Sequence, residues 1–260
     1  MTLLIDVGNT NVTIGVYGEK SILASWRMTT NRDQTSDEIG MIMCNYFVLG
    51  GIDVSQIDGV IISSVVPPVM YSLVHAVKKY IGVEPIIVSS SSKLGIKVHY
   101  DNPREVGADR LVNAVAAVKK YKPPLIIIDF GTATTFCAVN ENCEYLGGVI
   151  LPGIKISLNA LVERTAKLPK IEIVKPEHVI GKNTVESMQA GMYYGYAGSV
   201  DNIVCKMKES LGEGTTVLAT GGLARMIAGE AHTIDVIDSD LTLEGLKIIY
   251  DNETEGTDIN

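Results

Sequence analysis

Cysteine and histidine are scarce in this sequence, and neither falls in a metal-binding pattern. The four cysteines, at 44, 137, 143 and 205, form no C-x-x-C pair and show no zinc-like spacing with the four histidines at 75, 99, 178 and 232. That excludes a disulfide scaffold and a zinc site, and it leaves reduced, semi-buried thiols as the simplest reading. Basic charge is in deficit, with 22 Lys and Arg against 30 Asp and Glu and a net charge of −8. Bulk electrostatic attachment to nucleic acid or to an anionic membrane is therefore excluded, although a local cationic pocket for one small anion is not. No apolar run approaches a membrane span. The N-terminus also lacks the basic and apolar regions of a signal peptide, because Asp6 interrupts the apolar start. The chain reads as cytoplasmic and as complete from Met1. A G-x-x-x-x-G-K-[ST] segment is missing too, which excludes a P-loop.

What is present suits one large domain or two smaller ones: 260 residues, 46% hydrophobic and 20% charged, enough to bury a real core. The acidic tail DNETEGTDIN has no aromatic residue and is expected to fray.

Short apolar runs at Leu3–Asp6 and Val12–Tyr17, joined by V-G-N-T-N, give a strand-turn-strand signal, and Ser21–Met28 adds a third strand. Ile39, Ile42, Met43, Tyr46 and Phe47 then recur at helical spacing behind the capping candidates Thr35 and Ser36, and Gly50 and Gly51 close that helix. DGVIISSVVPP is a buried strand. A proline-opened helix follows it with Val69, Leu73, Val77 and Ile81 on one face, and EPIIVS is a short strand. RLVNAVAAVKKY is a helix ending before Pro123.

PLIIIDFGTATTFCAV then repeats the opening theme. Set beneath LLIDVGNTNVT, IIIDFGTATT has the same apolar run, Asp, one apolar residue, Gly, and hydroxyl-rich residues entering a second strand. Asp6 and Asp129 lie about half the chain apart, and each copy leads to a later apolar strand ending in small residues, VIISSVV and TVLATGG. Internal duplication organises the sequence. The reading is α/β, with two domains at 1–115 and 116–260.

A duplicated βββαβα unit facing its copy across a cleft is the architecture of the acetate kinase, sugar kinase, Hsp70 and actin superfamily, with ribonuclease H-like domains. Within that superfamily DVGNTN from Asp6, GADR at 107–110, DFGTATT at 129–135, LGGVILPG at 146–153 and ATGGLA at 219–224 resemble a type III pantothenate kinase over nearly the whole chain.

Phosphoryl transfer needs the nucleotide phosphates held and neutralised and an acceptor hydroxyl placed in line with the γ-phosphorus. Backbone amides of the turn Gly8–Asn11, flanked by Asp6, Val7, Val12 and Thr13, can cradle phosphate oxygens, helped by the hydroxyls of Thr10 and Thr13. A plain structural hairpin tipped by Gly8 and Asn9 is the alternative. Asp6 stands where a carboxylate could hold Mg²⁺ for ATP, directly or through water, and Thr132 on the second turn should touch the phosphates. Either aspartate could instead cap its hairpin. The resemblance implies a monovalent cation, K⁺ or NH₄⁺, at Asp129, and a general base at Asp109. It also implies a pantothenate site built from Tyr100, Gly107, Ala108, Asp109 and Arg110. A surface ion pair is the alternative for Asp109 and Arg110, and a packing role for Tyr100.

Thr184 begins a long helix, where it or Asn183 could serve as the cap; the resemblance assigns it to the pantothenate site of a neighbouring subunit. Gly191, Gly195 and Gly198 in the same helix suggest close approach of another helix, from a homodimer partner or from the chain itself. Tyr193, Tyr194 and Tyr196 read as core or interface. The implied activity is ATP-dependent phosphorylation of pantothenate to 4′-phosphopantothenate, by a homodimer with shared sites. A kinase for another small hydroxyl substrate, or a silent nucleotide-binding regulator on the same fold, are the competing readings.

Overall fold

The apolar run Thr2–Val7 forms β1 and turns back through Asn11–Tyr17 as β2, with Ile22–Thr29 as β3. The chain, seen in a computed structural model that describes residues 1–255, divides into two units. The first comprises Met1–Ile96, Asp101–Ala116 and the C-terminal segment from Leu241. Its sheet runs β3-β2-β1-β4-β5, where β4 is Gly59–Ser64 and β5 is Ile86–Ile87. β1 pairs antiparallel with β2 and parallel with β4. Because side chains alternate along a strand, Leu3, Ile5 and Val7 enter one core while Leu4 and Asp6 face the other way. Helices α1 (Ser36–Gly50) and α2 (Pro67–Tyr80) close that core with Ile39, Phe47 and Leu73.

Helix α1 starts where the sequence indicates. Thr35 caps it through the Glu38 amide, Glu38 returns the bond to the Thr35 backbone, and Gly51 ends it in the left-handed region at φ 66°. Pro67 opens α2 at its first turn. On the opposite face of the sheet lies α7 (Leu241–Thr254), packed on β1 and β4, with Leu243 over Gly15 and Tyr250 over Gly59. The expected fraying is overturned for Asp251–Thr254, which form the last turn of this helix. There Lys247 reaches Asp251 at 2.6 Å, the Lys93 amide donates to Glu253 at 2.8 Å, and Asn252 donates to the Lys93 carbonyl. The remainder of that expectation, 256–260, lies outside the described residues.

The second unit comprises Lys97–Tyr100 and Ala117–Asp240. Its sheet runs β11-β10-β7-β8-β9-β6, with β6 at Lys97–Val98, β7 at Leu125–Phe130, β8 at Ala133–Val139, β9 at Glu144–Pro152, β10 at Thr216–Thr220 and β11 at Val236–Ile237. Leaving out β6, this is the strand order of the first sheet, with β7, β8, β9, β10 and β11 standing for β1 to β5. The two mixed sheets with flanking helices thus repeat one topology. Ile126, Ile128 and Phe130 pack with Phe136, Val217 and the long helix α5 (Thr184–Leu211), so Asp129 faces away from this core as Asp6 does from the first. Two shorter helices, α4 (Ile154–Glu163) and α6 (Ala224–Ala228), also flank this sheet, and α3 (Ala108–Lys120) begins in the first unit and ends in the second. Among the described residues no disulfide forms, and no helix is long and apolar enough to cross a membrane.

Candidate active site

The register of the first sheet sets Ser63, Asp6, Thr13 and Arg27 side by side on β4, β1, β2 and β3, all on the same face. Ser63, fully buried, donates its hydroxyl to Asp6 Oδ1. Burial pushes the Asp6 carboxyl up to about 6 and the nearby Asp109 adds to the rise, while the Ser63 hydroxyl and the Arg27 guanidinium pull it down. Beyond Asp6 the chain turns at Gly8–Asn11, where the Gly8 amide donates to the Asn11 carbonyl at 3.0 Å. Asn9, Thr10 and Asn11 are exposed at the tip. Val7 and Val12 bury their side chains in the core, so they can offer a ligand only their backbone.

Asp109 lies in the first turn of α3, and its carboxylate accepts the Arg110 amide at 2.8 Å. Burial raises its pKa, opposed by that amide and by the Arg110 charge. A Cβ on Gly107 would lie 2.5 Å from Asp109 Oδ1 and 3.5 Å from Val65, so only glycine at 107 lets the carboxylate fold back over the helix start. The small Ala108 beside it is buried. Among the described residues the Arg110 guanidinium forms no close ion pair, although its charge acts on the Asp109 carboxylate. Asp6 and Asp109 thus come together in the first unit, two carboxylates near enough to raise the energy of the charged form.

In the second unit the equivalent row is Thr220, Asp129, Thr135 and Ile150. Gly221 follows Thr220 with φ 92°, and a Cβ there would lie 2.6 Å from Asp129 Oδ1, so this glycine is required both by its backbone angle and by the approach of the carboxylate. Thr132 sits on the turn between β7 and β8. Tyr100 packs against the buried Tyr145 with ring centroids 6.5 Å apart and keeps 38% of its surface exposed. Thr184 is the exposed first residue of α5, whose cap is Asn183, accepting the Glu186 amide at 3.0 Å. With the capping role filled by Asn183, Thr184 lines a groove of about 530 Å³ together with Leu161, Lys182, Met188 and Gly191. Tyr100, Asp129 and Thr132 are not among the residues lining it.

The sequence profile of the type III pantothenate kinases matches residues 2–206. A type III pantothenate kinase from Exiguobacterium sp. (strain ATCC BAA-1283 / AT1b) is 53% identical over 251 residues, covering 96% of this chain and 98% of the relative. The chain belongs to the type III pantothenate kinase family. Solved structures with the same fold as this type III pantothenate kinase are more distant in sequence. A Campylobacter jejuni protein placed in the Baf family of transcriptional activators superposes with a TM-score of 0.62 at 16% identity, over 98% of this chain and 99% of that one. Component A of the (R)-2-hydroxyglutaryl-CoA dehydratase of Acidaminococcus fermentans gives 0.58 at 13% identity, over 98% of each chain.

Sequence reasoning did not single out Ser63, Thr220, Arg27 or Gly221 in this type III pantothenate kinase. The signal for the first two was the small residues ending VIISSVV and TVLATGG. The partnership of Ser63 with Asp6 across 57 positions needed the sheet register to appear. Apart from their own stretch of helix, Gly191, Gly195 and Gly198 have no atom of the described residues within 4 Å of where a Cβ would stand, which overturns packing against another helix of the same chain as the reason for them. Tyr193 and Tyr196 are buried, as core residues.

Proposed function

We propose that this chain transfers the γ-phosphoryl group of ATP to the primary hydroxyl of pantothenate, giving 4′-phosphopantothenate, with Asp109 as the general base. The observation that carries this assignment is a part-buried carboxylate with a raised pKa, fixed by its own helix start beside Asp6, in a chain of this family. A raised pKa brings a carboxylate nearer the value at which it accepts a proton well, and Asp109 would take the hydroxyl proton as the new oxygen–phosphorus bond forms. Arg110, on the same turn and with no ion pair among the described residues, would hold the pantothenate carboxylate, with Gly107 and Ala108 beside it, and Tyr100 would also serve pantothenate. The amides of the Gly8–Asn11 turn, with Thr10, Thr13 and Thr132, would bind the phosphates.

Mg²⁺ fits the residues present. Among the described residues no group of three or more His, Cys, Asp or Glu could enclose a metal ion, whereas Asp6 offers one part-buried carboxylate. One carboxylate completed by phosphate oxygens and water is how Mg²⁺ is usually held beside a nucleotide. When bound it would neutralise phosphate charge. Asp129 would hold K⁺ or NH₄⁺. What supports this is the contrast between the rows: Arg27 ends the first, while Ile150, 61% exposed, stands in its place in the second and supplies no positive charge.

The homodimer belongs to the proposal as well. The open glycine face of α5 and the exposed Ile156, Val179, Ile180 and Val185 are the kind of apolar surface that a second copy would cover. Thr184 would then serve the pantothenate site of the partner. A cytoplasmic location goes with these substrates. The experiment is a coupled assay with pantothenate, Mg-ATP and K⁺: ATP-dependent formation of 4′-phosphopantothenate is expected, and its absence under all cation conditions would overturn the assignment.

A further inference from the structure

The turn Gly8–Asn11 is held in an unusual way. A tight hairpin turn is normally closed by the amide of its fourth residue donating to the carbonyl of its first. Here the Gly8 amide donates to the Asn11 carbonyl, but the Asn11 amide does not donate to Gly8. The Gly8 carbonyl instead accepts the hydroxyl of Thr30 at 2.6 Å, and the Thr30 amide donates to the Thr10 carbonyl at 2.9 Å. Thr30 directly follows β3, so one residue grips two carbonyls of the turn from outside. In a trans peptide unit the C=O and the following N–H point in opposite directions. Fixing the carbonyls of Gly8 and Thr10 toward Thr30 therefore directs the amides of Asn9 and Asn11 away from it.

The second copy shows that the station itself is built into the fold. Gly153 directly follows β9 as Thr30 follows β3, and it lies so close to the second turn that a Cβ there would stand 2.8 Å from the Gly131 carbonyl oxygen. The second turn, with three residues between its last paired positions against four in the first, meets bare backbone at this station. The longer first turn meets a hydroxyl.

We propose that Thr30 is a positioning residue for phosphate binding: by taking the Gly8 carbonyl, its hydroxyl keeps the turn from closing on itself and leaves the Asn11 amide for a phosphate oxygen. This rests on the reading of the hairpin as the phosphate cradle. Without the hydroxyl, the Asn11 amide is free to close the turn onto Gly8, and the cradle loses a donor.

The test measures MgADP affinity by calorimetry for the parent chain and for Thr30→Val, Thr30→Ala and Thr30→Ser, with KM for ATP and pantothenate taken separately. Loss of one donor to a charged phosphate is expected to weaken MgADP binding about ten- to a hundred-fold in the Val and Ala variants. KM for ATP should rise accordingly while KM for pantothenate stays within error, and Ser should bind like the parent. The Asn11 amide should also become more protected from hydrogen exchange in Thr30→Val, a change that a merely structural role for Thr30 would not produce. If Val does not fold, Ala, which empties the space rather than filling it with a methyl, carries the same comparison. Parent-like MgADP affinity in a folded Val or Ala variant overturns the inference, as does a Ser variant as weak as Val. A parent that binds no MgADP removes the cradle reading and this inference with it, a result distinct from binding that is strong and indifferent to residue 30.

Discussion

Ser63 donates its hydroxyl to the carboxylate of Asp6 from the adjacent parallel strand, and it is the strongest force holding that carboxylate's pKa down against burial. Ser63→Ala removes the donor and leaves burial less opposed, so Asp6 should titrate above its present value of about 6. A single hydrogen bond to a charged group corresponds to about one pH unit. The acid limb of kcat/KM is expected to move up by that amount, with greater loss at pH 6 than at pH 8. Profiles of parent and variant that superimpose would separate Asp6 from the acid limb.

The same carboxylate weakens the fold. Its folded pKa of about 6 lies above the ordinary aspartate value of 3.8, so between those values the folded chain binds more protons than the unfolded one, and stability falls as pH rises through that window. Asp6→Asn removes the ionisation while keeping an acceptor for Ser63. In the absence of nucleotide and metal it should stabilise the protein at pH 7 by on the order of 1–3 kcal/mol and have little effect near pH 4. Thermal unfolding at both pH values checks this, and an equal shift at both would assign the effect to packing.

Asp109→Asn should keep nucleotide binding and lower kcat roughly 10²–10⁴-fold, the usual range for a lost general base. Gly107→Ala is the subtler probe, because its methyl would stand 2.5 Å from Asp109 Oδ1 and displace the carboxylate without removing it. We expect about a ten-fold or greater loss of kcat from such a displacement, with MgADP affinity retained. A Gly107→Ala enzyme with parental kcat would show that the folded-back position is not the working one.

Replacing K⁺ by Na⁺ or by a large organic cation at constant ionic strength should depress turnover in the parent. Asp129→Ala should abolish the dependence. Equal rates in every salt would return Asp129 to a structural role on its hairpin.

Mixing an Asp109→Asn chain with a Thr184→Ala chain under exchange conditions should restore part of the activity, since a mixed dimer with shared sites carries one doubly damaged site and one intact site. Gly195→Leu is expected to split the proposed dimer without unfolding the chain, because nothing among the described residues outside its own stretch of helix lies within 4 Å of its Cβ position. Sedimentation checks the second statement. Mixed dimers that form without regaining activity would make Thr184 an ordinary first residue of α5.

Features fixed by neighbouring residues were legible before the structure. Both Asp-Gly hairpins, the Thr35 start of α1 and the Pro67 start of α2 depend on local turn and capping chemistry, and they stand where that chemistry puts them. β9 and the helices α4, α6 and α7 were not assigned, and α7 shows why. Its last turn is acidic and poor in apolar residues, and it is held by Lys93, some 160 positions away, a partner that no local pattern reveals. In the site, Asp6 and Asp109 could be named from motifs, whereas Ser63, Arg27 and Thr30 act through sheet register and chain crossing, and so became visible only with the strands paired.

The placement of α7 has a consequence for synthesis. Leu243 and Tyr250 cover Gly15 and Gly59 of the first sheet, so this part of the sheet stays uncovered until α7 has been made. The residues from Leu241 on belong to the first unit rather than to the second. The first unit is thus begun by the opening residues of the sequence and closed by those of α7, so its packing is completed only after the whole second unit has been coded.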